Sequence, residues 1–173
     1  MSTDGKSALK RIGTVFGTIV VSIFLLLIAL GTAIEYGFIP DAEALPAGKI
    51  HPRHLKQLKQ MRVINFDERV LYFYSGSLLS IKKDGNLFTK DRVISYKGYD
   101  DELELYSATY DEIIAIDFEP SKAWGDDSVI TVQLKDGAWF TLSISTESNG
   151  DEKFYRRLED TWKRNNEELG TRS

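Results

Sequence analysis

Hydrophobic and polar positions divide the chain into an apolar N-terminal run, a polar middle segment and a series of short alternating segments. The apolar run extends from Ile12 to Ile34, 23 residues without a charged side chain. A helix needs about 20 mostly apolar residues to cross a bilayer, and a soluble helix normally keeps a polar face, which this run lacks. We therefore predict a basic tail over residues 1–11 and a single transmembrane helix over residues 12–35.

A cleaved signal peptide is the alternative interpretation of the run. Its apolar stretch would span about 7–15 residues and end in small residues before the cleavage site. The sequence Gly31-Thr32-Ala33 offers a weak site of this kind. The length of the run favours an uncleaved signal anchor. Gly13 and Gly17 have the spacing of a helix-pairing motif, but they lie at the helix end, where chance occurrence is the simpler explanation.

The charges that flank the run predict its orientation. They are Lys6, Lys10 and Arg11 on the N-terminal side, and Glu35, Asp41 and Glu43 on the C-terminal side. The positive-inside rule places the basic flank in the cytoplasm. We predict a plasma (inner) membrane protein whose globular part lies outside the cytoplasm, which for a bacterial protein means the periplasm or the outer face of the membrane. The alternative keeps the globular part cytoplasmic.

The polar middle segment predicts a linker followed by a short helix. Residues 36–50 contain prolines, glycines and alanines without a helical or strand period, which indicates a spacer. Residues 51–66 carry Pro52 near their start and Leu55, Leu58 and Met61 at helical spacing, which predicts a juxtamembrane amphipathic helix. His51 and His54 lie close together, but two ligands do not make a metal site, so we predict none.

The rest of the chain alternates with the period of strands. The predicted strands cover residues 68–74, 77–82, 92–96, 103–106, 113–118, 129–134 and 138–144. Asp84-Gly85 and Asp136-Gly137 have the composition of tight hairpin turns. The pattern predicts a mainly β fold, an antiparallel barrel or sandwich.

A single amphipathic helix is predicted at the end of the chain. Phe154, Leu158 and Trp162 form one apolar stripe at four-residue spacing. Asn149, Gly150 and Asp151 can cap the start of the helix, and Gly170 suits its end. We predict that this helix covers an open end of the β structure. The predicted globular domain covers residues 67–169, with a tail over 170–173.

Three segments resemble the bacterial pleckstrin-homology-like (PH-like) and GRAM-like domains. Residues 86–96 (NLFTKDRVISY) resemble a signature of these domains, residues 110–116 resemble their turn into the next strand, and residues 154–162 resemble their closing helix. The resemblance covers residues 67–168 and implies a seven-stranded antiparallel barrel or sandwich capped by a C-terminal helix. Such bacterial domains are commonly cytoplasmic, whereas the charge bias here points outward.

Composition excludes several kinds of function. The chain has 173 residues, a net charge of −4 and no cysteine. Proteins that bind nucleic acids usually carry a strong positive excess, and thiolate zinc sites, disulfides and cysteine nucleophiles need cysteine. No serine-nucleophile or phosphate-loop motif is present, and the acids at 100–104 and at 126–127 have the pattern of solvated turns. We predict no catalytic residue, no cofactor and no enzymatic activity, while an unrecognised envelope enzyme stays a remote alternative.

Binding is the remaining class of function. We predict a membrane-anchored scaffolding or interaction module whose partner is another membrane or envelope protein. The alternative is a module that contacts anionic lipid surfaces weakly, because PH domains can hold lipid headgroups with basic residues on an early hairpin. The candidate binding residues are Lys82, Lys83, Lys90, Arg92 and Trp124.

Overall fold

The computed structural model of the chain describes residues 4–77, 79–99, 102–123 and 125–171. It divides into two compact units, Met1–Tyr36 and Gly37–Ser173. Helix α1 (Asp4–Glu35) makes up the first unit. Within the described part of the chain, one helical segment, Gly13–Glu35, is long and apolar enough to cross a membrane.

The second unit contains two antiparallel sheets and two helices. In chain order its elements are β1 (Leu45–Pro46), α2 (Pro52–Gln60), β2 (Val70–Tyr74), β3 (Asp84–Thr89), β4 (Arg92–Tyr99), β5 (Glu102–Thr109), β6 (Ile113–Glu119), β7 (Ser128–Leu134), β8 (Trp139–Ile144) and α3 (Gly150–Gly170). The larger sheet has the order β1-β2-β3-β4-β5, and the smaller sheet has the order β6-β7-β8. Strands that are neighbours in a sheet are also consecutive in the sequence; β1 and β2 are separated by the segment that contains α2, and short loops join the other neighbours.

The inter-sheet core fills the space between the two sheets and α3. Its fully buried side chains include Phe88, Val93, Ile130, Val132, Leu142, Phe154 and Leu158. The ring of Phe154 on α3 packs edge-on against Phe88 at a centroid distance of 5.0 Å. Burial of one such aromatic side chain contributes roughly 1.5–3 kcal/mol, which explains why the aromatic stripe of α3 closes this core.

Asp151 fixes the start of α3 to the smaller sheet. It is buried, and its Oδ2 accepts a hydrogen bond of 2.6 Å from the hydroxyl of Ser128, the first residue of β7. A carboxylate in the first turn also suits the positive end of the helix dipole. Both interactions orient the apolar stripe toward the sheets.

A second core, the α2 core, lies on the opposite face of the larger sheet. It consists of Leu45, Ile50, Leu58, Val63, Ile64, Val70, Phe73, Ile81, Leu87, Ile94 and Tyr96. Strand β3 and the first half of β4 are therefore buried on both faces, and their patterns are continuous runs of buried residues. Such runs hide the two-residue alternation that would mark a strand in the sequence.

The segment predicted as a spacer is packed onto the domain. Leu45 and Pro46 pair with Phe73 and Tyr72 of β2, and Ile50 belongs to the α2 core. The compact unit begins at Gly37. The absence of a helical or strand period was misleading here, because this segment contributes single buried side chains and one short strand rather than a periodic element.

Helix α2 is shorter than predicted, and its histidines serve packing. His51 precedes the helix, and its Nδ1 accepts a hydrogen bond of 3.1 Å from the backbone of Arg53. Gly37 has a φ of +65° and lies against the His51 ring, where a Cβ atom would be 2.3 Å from Nδ1. His54 is buried near Phe73, and this burial lowers the pKa of the His54 imidazole.

The strand predicted over residues 77–82 and the turn predicted at Asp84-Gly85 are wrong. Ile81 and Lys82 lie in a turn, and Asp84 and Gly85 are the first residues of β3. Gly85 pairs with Tyr96, whose ring covers it, and a Cβ atom there would be 2.5 Å from the Tyr96 hydroxyl. This glycine makes room for a side chain of the next strand.

The other predicted hairpin turn and the fold class are confirmed. Asp136 and Gly137 connect β7 to β8, with Gly137 at a φ of +88°. In the described residues the second unit is mainly β, with two antiparallel sheets and a C-terminal helix, and an apolar helix lies in the N-terminal unit.

Replacement of Leu58 by alanine tests the packing of α2. Leu58 is fully buried in the α2 core, so L58A should lower the free energy of unfolding by about 2–5 kcal/mol. Lys56→Ala, on the exposed side of the same helix, should change it by less than about 0.5 kcal/mol. Chemical unfolding of the full chain, followed by tryptophan fluorescence, measures both. Equal effects of the two substitutions would contradict the packing.

Candidate binding surfaces

The predicted basic cluster is not one surface. Lys82 and Lys83 are exposed immediately before β3, whereas Lys90 is exposed immediately after it. Six strand residues span about 20 Å, so the two sets of ammonium groups belong to opposite ends of the strand. A single ligand of headgroup size cannot contact both ends. The hairpin that should have joined these residues does not exist, because Asp84-Gly85 is part of the strand.

Arg92 is committed to an internal ion pair. Its Nη2 lies 2.8 Å from Oε2 of Glu68, and its Nε donates to Oε1 of the same carboxylate at 2.9 Å. Nη2 also donates to the carbonyl of Val63 at 3.2 Å. The Thr89 hydroxyl donates to Glu68 Oε1 at 2.9 Å. Arg92 therefore joins the turn before β2 to the β3–β4 hairpin, and its guanidinium is not free for a ligand.

Glu68 remains ionised in this buried position. Burial alone would raise the pKa of its carboxyl group, but hydrogen bonds from Arg92, from the backbone of Asn65 and from Thr89 outweigh burial. The net result is a pKa below its usual value of 4.5. The ion pair consequently stabilises the fold at neutral pH.

The acids at 126–127 are only partly a solvated turn. Asp127 is half-buried, and both of its carboxylate oxygens accept from the Tyr74 hydroxyl at 3.2 Å. Burial, together with the neighbouring charges of Asp84 and Asp126, raises the pKa of the Asp127 carboxyl. The same environment raises the pKa of Tyr74. The Tyr74–Asp127 contact attaches the loop before β7 to β2.

Of the other predicted acidic turn, over residues 100–104, Asp100 and Asp101 lie outside the described residues.

Trp124, the predicted partner anchor, also lies outside the described residues. A different tryptophan has the expected exposure: the Trp139 side chain on β8 is 66% exposed. Ile114 on β6 is 55% exposed on the same outer face of the smaller sheet. Adjacent exposed apolar side chains, rather than scattered single ones, are the feature that marks interaction sites.

Two clefts flank Trp139. The first, of about 400 Å³, is lined by Trp139 together with Ile114, Thr131, Gln133 and Leu134. The second, of about 330 Å³, opens between β8 and the larger sheet, with Tyr106 and Lys97 on its far wall. We call Ile114, Thr131, Gln133, Trp139 and Tyr106 the Trp139 surface.

An aromatic stack between the two sheets forms part of the wall of the second cleft. Tyr106 of β5 stacks on Phe140 of β8 at a centroid distance of 6.3 Å. The Tyr106 hydroxyl donates to the carboxylate of Glu104 on the same strand, and that hydrogen bond raises the pKa of the tyrosine. Tyr106 itself is 46% exposed, so one side of the stack faces solvent.

Sequence reasoning missed the exposure of Trp139 although it identified the strand. Strand alternation places Trp139, Thr141 and Ser143 on one face and Phe140, Leu142 and Ile144 on the other. The second set is entirely apolar, so it had to be the buried set. That comparison would have assigned the outward tryptophan to solvent.

Comparisons with known proteins support the fold. No family model matches the sequence, and no curated protein matches it. Among solved structures, a DUF1696 family protein with a pleckstrin-homology domain from Shewanella loihica PV-4 is 13% identical, with a TM-score of 0.48, over 70% of this chain and 96% of that one. A PH domain containing bacterial protein from Exiguobacterium sibiricum 255-15 is 17% identical, with a TM-score of 0.50, over 70% of this chain and 65% of that one.

The likeness concerns the fold and nothing finer. Two antiparallel sheets followed by a C-terminal helix give the second unit a fold like that of this PH-domain neighbour, as the resemblance of residues 67–168 predicted. At 17% identity a shared fold does not transfer a ligand or a site. The binding surfaces must be argued from the residues of this chain.

Replacement of Glu68 by glutamine tests the buried ion pair. E68Q leaves the Arg92 guanidinium without its counter-charge and should lower the free energy of unfolding by about 2 kcal/mol at pH 7. Because the pKa of Glu68 is lowered in the folded protein, its contribution is complete above the usual value of 4.5 and declines as the pH falls below it. The difference between the two proteins should therefore shrink in acid.

The matched control is Glu152→Gln, which removes a solvent-exposed partner of Arg156 on α3. Exposed pairs of this type contribute less than about 1 kcal/mol. Urea unfolding of the full chain at several pH values measures all three proteins. A loss in E68Q that equals the loss in E152Q would show that the Glu68 pair is not structural.

Proposed function

We propose that this chain is a single-pass, membrane-anchored PH-like module that binds another membrane or envelope protein. The observation that carries the proposal is Trp139, which is 66% exposed between two clefts on a folded domain. The carboxyl groups with shifted pKa values do not call for a catalytic role. Glu68 is paired with Arg92, and Asp127 accepts from the Tyr74 hydroxyl. These groups hold the fold together, and we propose no catalytic role for them.

The apolar helix supports the anchor in this proposal. Gly13–Glu35 has the length and composition of a membrane span, and its flanking charges favour a cytoplasmic N-terminus. The folded unit begins at Gly37, two residues after α1 ends. An anchored domain of this kind would stay close to its membrane and meet membrane partners at high effective concentration.

The chemistry of the Trp139 surface indicates the kind of partner. Trp139 and Ile114 offer apolar contact, and Thr131 and Gln133 offer hydrogen-bonding groups beside them. A protein segment with one large apolar side chain and polar neighbours complements this arrangement. Binding energy at protein interfaces concentrates in such partly enclosed aromatic residues.

Cysteine labelling tests the proposed topology. The natural chain has no cysteine, so Ser143→Cys, at an exposed position of β8, provides a single reactive thiol. We expect a membrane-impermeant maleimide to modify S143C in intact spheroplasts. The matched control is Ser128→Cys, at a fully buried position, which should react only after denaturation. Modification of S143C only after lysis would place the domain in the cytoplasm.

Site-specific photo-cross-linking tests the Trp139 surface. A photoreactive phenylalanine analogue replaces Thr141, which lines the cleft beside Trp139, in the full chain in native membranes. We expect a discrete adduct with a membrane or envelope protein, and we expect Trp139→Ala to reduce it by about tenfold.

The control for this experiment is Leu79, which is 77% exposed and lies outside the Trp139 surface. The analogue at position 79 should not give the same adduct, and Leu79→Ala should not reduce the adduct formed at position 141. An adduct that forms equally from both positions, or that persists in W139A, would refute this surface as the interface.

A further inference from the structure

A cleft of about 350 Å³ lies between the start of β2, the β3–β4 hairpin and α3. We call it the basic cleft, because four of its lining residues are cations. Its charged and amide residues are Arg69, Lys90, Arg157, Arg164, Asn165 and Glu168. Only Lys90 among the cations was recognised from the sequence as a candidate, since the others are distant from it along the chain.

The fold brings these cations together from separate elements. Arg157 and Arg164 are seven residues apart on α3, two helical turns, and therefore lie on one face. On the opposite wall, the backbone amide of Lys90 donates to the carbonyl of Arg69 at 3.3 Å, which holds the two residues side by side. The segments that flank β2 and β3 contribute two cations, and α3 contributes the other two.

The cationic groups of this cleft have no carboxylate partner among the described residues. Their situation differs from that of Arg92 and Arg156, which are paired with Glu68 and Glu152. Arg164 donates its Nε to the carbonyl of Asp160 at 3.1 Å, which leaves its two terminal amino groups available. Arg69, Lys90 and Arg157 are exposed to solvent.

The lining of the basic cleft has a positive net charge, although the chain as a whole is negatively charged. The whole chain has a net charge of −4, whereas the lining of the cleft has four cations and one carboxylate, that of Glu168. Like charges in a shared concave site repel one another, and a bound anion relieves that repulsion. Asn165 adds an amide whose Nδ2 already donates to the carbonyl of Thr161 at 2.8 Å.

We propose that the basic cleft binds a phosphate-bearing anion, a phosphate monoester or a diphosphate. Arginine guanidinium groups bind phosphate oxygens through paired N–H donors, and the positive excess of the lining matches a group with two or more negative charges better than a monocarboxylate. The phosphate can be carried by a soluble compound or by a lipid headgroup. This site shares no residue with the Trp139 surface, so it stands independently of the proposed protein partner.

Protection of Lys90 from acylation tests the proposal. The full chain, in nanodiscs of phosphatidylcholine, is treated with an amine-acylating reagent, with or without inorganic pyrophosphate. Peptide mass spectrometry gives the rate at each lysine. We expect about 1 mM pyrophosphate to slow acylation of Lys90 by about tenfold. The rates at Lys82 and Lys83, at the other end of β3, should not change.

Two charge-matched variants separate the cleft from general electrostatics. R157Q/R164Q removes two cations from the cleft and should abolish the protection of Lys90. R156Q/K163Q removes two cations from the same helix outside the cleft and should retain it. Protection that survives R157Q/R164Q, or that extends equally to Lys82 and Lys83, would overturn the site.

A second arm distinguishes the source of the phosphate. Here the nanodiscs contain phosphatidic acid, and no pyrophosphate is added. Protection of Lys90 in this arm assigns the cleft to a lipid headgroup, whereas protection by pyrophosphate alone assigns it to a soluble phosphate compound. Absence of protection in both arms would overturn the proposal.

Discussion

Burial of both faces of the larger sheet is the constraint on which the rest of this domain depends. Strands β3 and β4 pack against the smaller sheet and α3 on one side and against α2 on the other. A sheet that is apolar on both faces needs two covering layers. The chain between Gly37 and Val70 therefore has to fold onto the sheet, so α2 and β1 become part of the domain.

Burial also decides which cations form ion pairs within the fold and which stay free to bind a ligand. Glu68 is almost fully buried, and an unpaired carboxylate would be costly there, so Arg92 is held beside it. Arg92 in turn reaches the Val63 carbonyl, which joins the end of the α2 segment to the β3–β4 hairpin. The cations around Lys90 face solvent, and none of them forms an ion pair with a carboxylate of the described residues. The same hairpin thus supports both an internal ion pair and the edge of the basic cleft.

The two proposed binding surfaces use different interactions: apolar contact at one and charge attraction at the other. The Trp139 surface lies on the smaller sheet, offers apolar area and suits a protein segment. The basic cleft lies between the larger sheet and α3, offers unpaired cations and suits phosphate. The two surfaces share no residue, so the proposed protein partner and the proposed anion would occupy separate parts of the domain.

The sequence by itself determined the apolar N-terminal helix, the mainly β class, the β7–β8 turn and the closing helix with its Phe154 stripe, because each depends on local period or turn composition. It failed at β3, where burial on both faces removes the alternation and Gly85 serves a neighbouring ring rather than a turn. Only the tertiary structure separated Lys82 and Lys83 from Lys90, paired Arg92 with Glu68 and brought Arg69 to Arg157. These relations join residues far apart in the chain, and no local pattern encodes which cation meets a carboxylate and which meets solvent.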